Sequence, residues 1–326
     1  LTQAMVEDII ASGIVPEGAI QLDCGRGHGI LDKLKAQDLI TFTGSAQTGR
    51  MLKSMPHIIE QAIPFNMEAD SLNAAILGED VAPGTPTFDL FIKEVRREMT
   101  TKAGQKCTAI RRIIVPEKYL EDTQIALGKS LAKTTLGDPA QEGVRMGALV
   151  NRSQMDVVRN RVLALSKNTP IVSGSLDKFD VLGADKSKGA FVPPILMLND
   201  NPMQKLDSHE VECFGPVSTL MPYQDFDQAI ELAKMGKGSL VSTIATSDVE
   251  TATQYAVEAS AYHGRILVLN EESAPESTGH GSPMPQLMHG GPGRAGGGEE
   301  LGGMGSVKHY LQRTALQGHP SMLTEI

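Results

Sequence analysis

Cysteine is scarce. Cys24, Cys107 and Cys213 are odd in number and far apart in a chain of 326 residues, which excludes a disulfide framework and a zinc site built on paired cysteines. The 8 histidines show no metal-ligand spacing, and neither His-Glu-x-x-His nor a paired Cys-x-x-Cys occurs, so no metal is expected. Basic residues are outnumbered: 30 Lys and Arg against 39 Asp and Glu leave a net charge of -9. That balance argues against nucleic acid as a partner, while a local basic patch can still meet a phosphate. No apolar run approaches the roughly 20 residues of a membrane span, and the first residues lack a charged-then-apolar signal. No membrane partner is expected, and a cytoplasmic location is the default expectation. No internal repeat recurs at a solenoid period.

What remains is a chain with 40% hydrophobic and 21% charged residues, enough for a sizeable core and about two domains. Leu1, Met5 and Ile9 share one face of a helix over 1–12 with no capping residue before it, so the chain reads as beginning inside an element, with an N-terminal portion expected upstream. A short strand is predicted at 20–22, a short helix at 32–35, a strand at 39–43, and a helix at 46–54 after a turn opened by Gly44. The stretch 58–65 reads as a further strand and 66–70 as a polar loop. Phe88, Phe91, Ile92, Val95 and Met99 recur at helical spacing, and Cys107 follows that helix. Strands near 113–115, 171, 195, 217–222, 240–245 and 265–269 then alternate with helices at 119–133, 152–167, 224–235 and 248–259. This βαβ rhythm favours a parallel sheet covered by helices. From Gly279 to Gly305 glycine dominates, which implies irregular backbone pressed closely against a ligand or another segment.

Cys107 lies among Lys93, Arg96, Arg97, Lys102, Arg111 and Arg112. A free thiol titrates near about 8.5, and cationic neighbours lower that value and populate the nucleophilic thiolate. The same residues also read as a small buried side chain at a helix end beside a solvated basic face. Glu68 and Asp70 form a carboxylate pair that reads either as a base for water or as an exposed acidic turn. Phe42-Thr43-Gly44-Ser45, ending a strand and opening a helix, is where an α/β sheet offers backbone N–H groups to a phosphate. Gly25-Arg26-Gly27-His28-Gly29 fails the Gly-x-Gly-x-x-Gly spacing and is read as a loop. His280 and His289 flank the glycine-rich tract and stand within reach of a ligand there or as ordinary loop histidines.

In order, Phe42 to Ser45 with Gly49-Arg50, Gly104-Gln105-Lys106-Cys107, Glu212-Cys213-Phe214-Gly215-Pro216-Val217, and Gly290 through Gly302 resemble motifs of the aldehyde dehydrogenase superfamily. Met67 to Asn73 and Asn270 to His280 are unusual for it, and Met99 to Arg112 is read with them. They resemble the dehydrogenase half of the PaaZ-type bifunctional ring-opening enzymes of bacterial phenylacetate degradation.

The resemblance implies an α/β, aldehyde dehydrogenase-like fold: a partial Rossmann-type cofactor domain and an α/β catalytic domain. Residues 1–67 would be the C-terminal part of the NAD(P)-binding domain, 68–280 the catalytic domain, and 281–326 a closing segment and tail serving oligomerisation, with a homo-oligomer expected. It implies oxidation of an aldehyde to a carboxylic acid with NADP, or NAD, as hydride acceptor, the aldehyde being a CoA-linked semialdehyde. Cys107 would be the nucleophile and Glu68 the base. Thr43, Gly44, Ser45, Glu212 and Phe214 would bind the cofactor. The family's asparagine oxyanion donor has no counterpart in these residues, which leaves the backbone N–H of Cys107 as a donor. Two other readings stand beside this one: a catalytically silent structural chain, and a dehydrogenase that passes its acyl group to CoA. Glu68 weighs against the latter, because water activation suits hydrolysis.

Overall fold

The computed structural model describes residues 1–25, 29–284, 286–300 and 302–325; of the predicted glycine loop, Arg26 to His28 lie outside the described residues. The chain divides into two compact units, Leu1–Ile40 with Arg50–Phe65, and Thr41–Gly49 with Asn66–Ile326. The first unit carries α1 (Thr2–Ala11), which buries none of its residues, and later in the chain β1 (Ile40–Thr43) and α2 (Ala46–Lys53) lead into α3 (Pro56–Glu60). Residues 20–22, expected as a strand, are irregular chain, and the helix expected at 32–35 is one 3-10 turn, Leu31–Lys33. The strand expected over 58–65 is instead the end of α3, a turn and irregular chain, with only Phe65 in a strand. Pro56 at the first position of α3 fixes a helical φ, and Ala62 in the left-handed region ends the segment.

β2 (Phe65–Glu68) pairs with β1 in a two-stranded sheet, so Glu68 ends a strand where a polar loop was expected. The large sheet of the second unit follows: β3 (Asn73–Leu77), α4 (Pro86–Thr100), β4 (Ile110–Pro116), α5 (Leu120–Leu131), α6 (Arg152–Leu165), β5 (Ile171–Ser173), β6 (Ile195–Leu198), β7 (Val217–Tyr223), α7 (Phe226–Lys234), β8 (Ser239–Ala245), α8 (Val249–Ala259) and β9 (His263–Leu269). Its strand order is β5-β6-β7-β4-β3-β8-β9, parallel throughout except for β5 against β6. The alternating pattern predicted from residue 110 onward is present. The central strand β3 has no counterpart in the sequence reading. Its five residues are all buried, because both faces of the sheet are covered, so they lack the alternation that marks a half-exposed strand.

Side-chain direction alternates along β4. Ile113 and Val115 pack with α4 and α5 against Phe88, Phe91, Val95 and Leu127, while Ile114 packs on the opposite face with α7 and α8 against Ile230, Leu232 and Tyr255. α4 starts where Thr85 accepts a hydrogen bond from the Phe88 N–H and Pro86 occupies the first turn. Its predicted apolar stripe, Phe88, Phe91, Ile92, Val95 and Met99, is buried in full.

The second face of the sheet holds a cation without a carboxylate. Arg112 is fully buried. Its Nε donates to Leu72 O at 3.0 Å, and its Nη atoms donate to Leu232 O at 2.6 Å and Ala233 O at 2.8 Å, carbonyls of the last turn of α7, where the helix dipole favours positive charge. His209 Nδ1 lies 3.1 Å from Arg112 Nη1. Burial and then the Arg112 charge push His209 down to about 4 and His263 down to about 3. Both are therefore neutral in the folded protein at pH 7. Their folded values lie below the unfolded value near about 6.5, so stability is lost as pH falls below that value and continues to fall through about 4 for His209. Each histidine is expected to cost about 2 kcal/mol at pH 5 relative to pH 8. Urea unfolding at the two pH values measures this; a loss no smaller in His209→Gln than in the unaltered protein would show that His209 is not responsible.

Candidate active site

Three neighbouring strands of the sheet, β7, β4 and β3, run parallel, so the segments that precede them arrive at one edge. Glu212 and Phe214 precede β7, Cys107 precedes β4, and Glu68 precedes β3. The site therefore forms at the amino ends of the strands.

The Cys107 segment is shaped by its backbone. After α4 the chain turns through three left-handed residues, Lys102 (φ 52), Ala103 (φ 53) and Gly104 (φ 67). Such conformations cost energy for non-glycine residues and persist where surrounding contacts impose them. Gly104 is tight as well as left-handed, since a Cβ there would collide with the Gly215 carbonyl. Arg111, fully enclosed, donates to Gly104 O at 2.7 Å and to Gly215 O at 2.6 Å. Its guanidinium also lies over the Phe214 ring at 5.5 Å, and its Nε is 3.6 Å from Glu212 Oε1. One cation thus ties the bend before Cys107 to the segment before β7. On the other side Asn73, the first residue of β3, donates to Cys107 O at 2.8 Å and Ala109 O at 2.9 Å, and accepts from Ser71 Oγ.

The strand end that carries Glu68 is fastened by backbone hydrogen bonds. Gly44 N–H donates to Glu68 O, and Ala69 N–H donates to Ala295 O at 2.8 Å. Gly298 N–H donates to Met67 O, and Cβ atoms at Gly296 or Gly298 would strike that same strand. The close approach expected of the glycine-rich tract is therefore to another segment of the chain, the one carrying Glu68.

Cys107 is half-buried between two cavities. One, of about 360 Å³, is bordered by Thr43, Gly44, Ser45, Glu68, Glu212 and Phe214, so the sequence-predicted residues meet on one cavity wall. The other, of about 390 Å³, is bordered by Cys107, Lys106, Arg265, His289 and Glu300. In the first, Ser45 Oγ accepts from Thr48 N–H and caps α2, while Asp70 accepts from the Ala46 N–H at 3.0 Å. Glu212 is buried, with Oε1 lacking a hydrogen-bond partner among the described residues, and burial raises its carboxyl above the usual range against the pull of Arg111.

The expected lowering of the Cys107 thiol by its cationic neighbours is overturned. Burial, then the charge of Glu68 and a hydrogen bond to it, push the thiol up to about 12. The cations are engaged elsewhere: Lys106 lies 2.6 Å from Glu98, Arg97 pairs with Glu94 and Glu98, and Arg111 and Arg112 are consumed by carbonyls. Side-chain direction on a strand decides this, and nearness in sequence does not reveal it. The thiol faces carboxylates instead. Glu300 adds to them, its own carboxyl raised by burial and by Glu68. Cys213 is buried and Cys24 exposed. His280 is fully buried, its Nδ1 2.7 Å from Thr243 Oγ1, and His289 borders the second cavity. Arg265, Glu300 and the organising role of Arg111 were not singled out from the sequence; only strand pairing brings them to this edge. Among the described residues no cluster could hold a metal ion, and no helix is long and apolar enough to cross a membrane.

The chain belongs to the aldehyde dehydrogenase family, whose model matches residues 1–316. Among named relatives, it is 40% identical over 292 residues to a 3,4-dehydroadipyl-CoA semialdehyde dehydrogenase of Aromatoleum evansii, covering 90% of this chain and 57% of that protein. It is 50% identical over 184 residues to a protein MaoC of Klebsiella aerogenes, covering 56% of this chain and 52% of that one. The chain thus spans little more than half the length of these relatives. The betaine aldehyde dehydrogenase of Staphylococcus aureus, solved in complex with NAD+, shares the fold with a TM-score of 0.80 at 22% identity over 95% of this chain and 57% of that one.

Proposed function

We propose that this chain carries the thiol and base of an NAD(P)-dependent aldehyde dehydrogenase that converts a CoA-linked semialdehyde to a carboxylic acid. The observation that carries the reading is the shared cavity: Cys107, Glu68, the Gly44-Ser45 turn and Glu212 border one space. The semialdehyde is of the 3-oxo-5,6-didehydrosuberyl-CoA type formed on ring opening in phenylacetate degradation. Support for a CoA-linked substrate comes from the 40% identical relative named for such an aldehyde.

Cys107 attacks the aldehyde carbon, forming a C–S bond and a thiohemiacetal. With a thiol at about 12, little thiolate exists beforehand, so the proton leaves as the bond forms, and Glu68, a carboxylate on the same cavity wall, is the group to receive it. The backbone N–H of Cys107 is the donor these residues offer to the developing oxyanion. NADP, or NAD, would supply the hydride acceptor when held by Thr43, Gly44, Ser45, Glu212 and Phe214. Glu68, having passed its proton to solvent, then takes one from water, which attacks the Cys107 thioester and frees the acid.

The residues fit a dinucleotide. Glu212 Oε1 is buried with no hydrogen-bond donor among the described residues, Arg111 Nε being 3.6 Å away, and so is suited to a ribose hydroxyl, with Phe214 lying against Arg111 beside it. Thr43, Gly44 and Ser45 border the cavity at the amino end of α2, where they would hold the cofactor's phosphates. Residues 1–67 supply part of the cofactor domain, 68–280 the catalytic domain, and 281–326 the closing segment and a tail for a cytoplasmic homo-oligomer.

The test is formation of reduced nucleotide by the full-length protein with a CoA-linked semialdehyde, run with NADP and with NAD. Turnover with the semialdehyde supports the reading. Failure to reduce either nucleotide with any aldehyde would sink it.

A further inference from the structure

The second cavity also touches Cys107 and has a different character. Arg265, the third residue of β9, borders it. Its Nη2 donates to the His280 carbonyl, and its Nε is buried with no acceptor among the described residues. A buried guanidinium nitrogen without a partner is uncommon in folded proteins, and where the rest of the side chain borders the cavity its N–H groups can donate to a ligand's acceptor.

The guanidinium is fixed in advance. The His280 carbonyl that holds it belongs to a residue anchored twice, through its N–H to Glu94 Oε1 at 2.6 Å and through its ring to Thr243. Glu300 and Glu98 keep Arg265 charged against the burial that weakens its hold on a proton. Lys106, in the same wall, is already committed to Glu98 at 2.6 Å. Arg265 is thus a preorganised donor in a cavity of about 390 Å³ that also contains the reacting sulfur.

We propose that Arg265 is a specificity-determining residue: its guanidinium donates to an acceptor oxygen carried by the substrate's acyl chain away from the aldehyde carbon, so the site selects aldehydes with a distal carbonyl or carboxylate over plain alkanals. This rests on the reading of Cys107 as nucleophile. A site built to donate to an oxygen discriminates strongly against chains without one, because its donor is then left buried and unpaired.

The experiment compares kcat/KM of the full-length protein, with cofactor, for hexanal, 6-oxohexanoate and the N-acetylcysteamine thioester of 6-oxohexanoic acid. In Arg265→Met the preference for each oxygenated chain over hexanal is expected to fall about ten- to hundredfold, chiefly through KM. Arg265→Lys is expected to restore the preference for the carboxylate more than for the neutral thioester. A fall for the thioester alone assigns the acceptor as a carbonyl, and a fall for the acid alone as a carboxylate; either supports the proposal. Unchanged preferences in Arg265→Met overturn it. Protection of Cys107 from iodoacetamide by 6-hydroxyhexanoate and by its N-acetylcysteamine thioester, each compared with hexanol, reads the same contact without turnover. Protection by both no better than by hexanol overturns the proposal even where the protein is inactive. If the unaltered protein reduces neither nucleotide with any aldehyde, the CoA-linked semialdehyde included, while one of these two alcohols protects selectively, the nucleophile reading fails and the Arg265 contact stands.

Discussion

Alanine at position 107 is expected to lower aldehyde-dependent formation of reduced nucleotide by about 10⁴-fold or more, in line with the loss of other covalent nucleophiles. The other cysteine of the same compact unit, Cys213, is buried with its thiol pushed up to about 12. Cys107 is half-buried and contributes no side chain to the hydrophobic clusters, so the fold tolerates the change. Steady-state rates with a melting curve on the same sample separate chemistry from stability. A variant that melts as the unaltered protein and keeps a tenth of its rate would refute Cys107 as the nucleophile.

Glutamine at position 68 is expected to cost about 10³-fold in turnover, and it carries a second, opposite signature. The negative charge of Glu68 and the hydrogen bond to it both raise the thiol, so removing the charge leaves burial and Glu300 as the remaining causes. The thiol of Glu68→Gln is therefore more acidic than that of the unaltered protein, and its alkylation profile moves to lower pH. Turnover falls all the same, because no base takes the proton as the C–S bond forms or activates water afterwards. No burst of reduced nucleotide is expected. A full burst followed by a stall would confine Glu68 to the hydrolytic step, and turnover recovering at pH 9 would show thiol ionisation, not a base, to be limiting.

The sequence displayed these two residues unequally. Cys107 stands out as a rare residue beside a glycine after a long amphipathic helix, and α4 is present as its apolar spacing requires. Glu68 looked like part of an acidic turn, because β2 is four residues long, its paired strand β1 is as short, and further bonds come from Ala295 and Gly298, far along the chain. β3 was missed for a related reason, its run of small and aliphatic residues being buried on both sides. The charges around Cys107 were legible as a list and illegible as a field. Arg111 and Arg112 are adjacent on β4 and so point to opposite faces, one toward the Gly104 bend and the other into the α7 side of the core. The alternation of strand and helix, by contrast, is a local property, and it read correctly from residue 110 onward.

The clasp of glycine backbone on the Glu68 strand also bears on the order in which the molecule is made. Asn66 and Glu299, which bond each other in that clasp, are 233 positions apart. The thiol and its base leave the ribosome well before the residues that fasten the base, and long-range strand contacts form slowly in any case. Until the segment around Glu299 is made, both reactive groups lack the geometry that makes them act together. Their competence follows their own synthesis as a late and cooperative event.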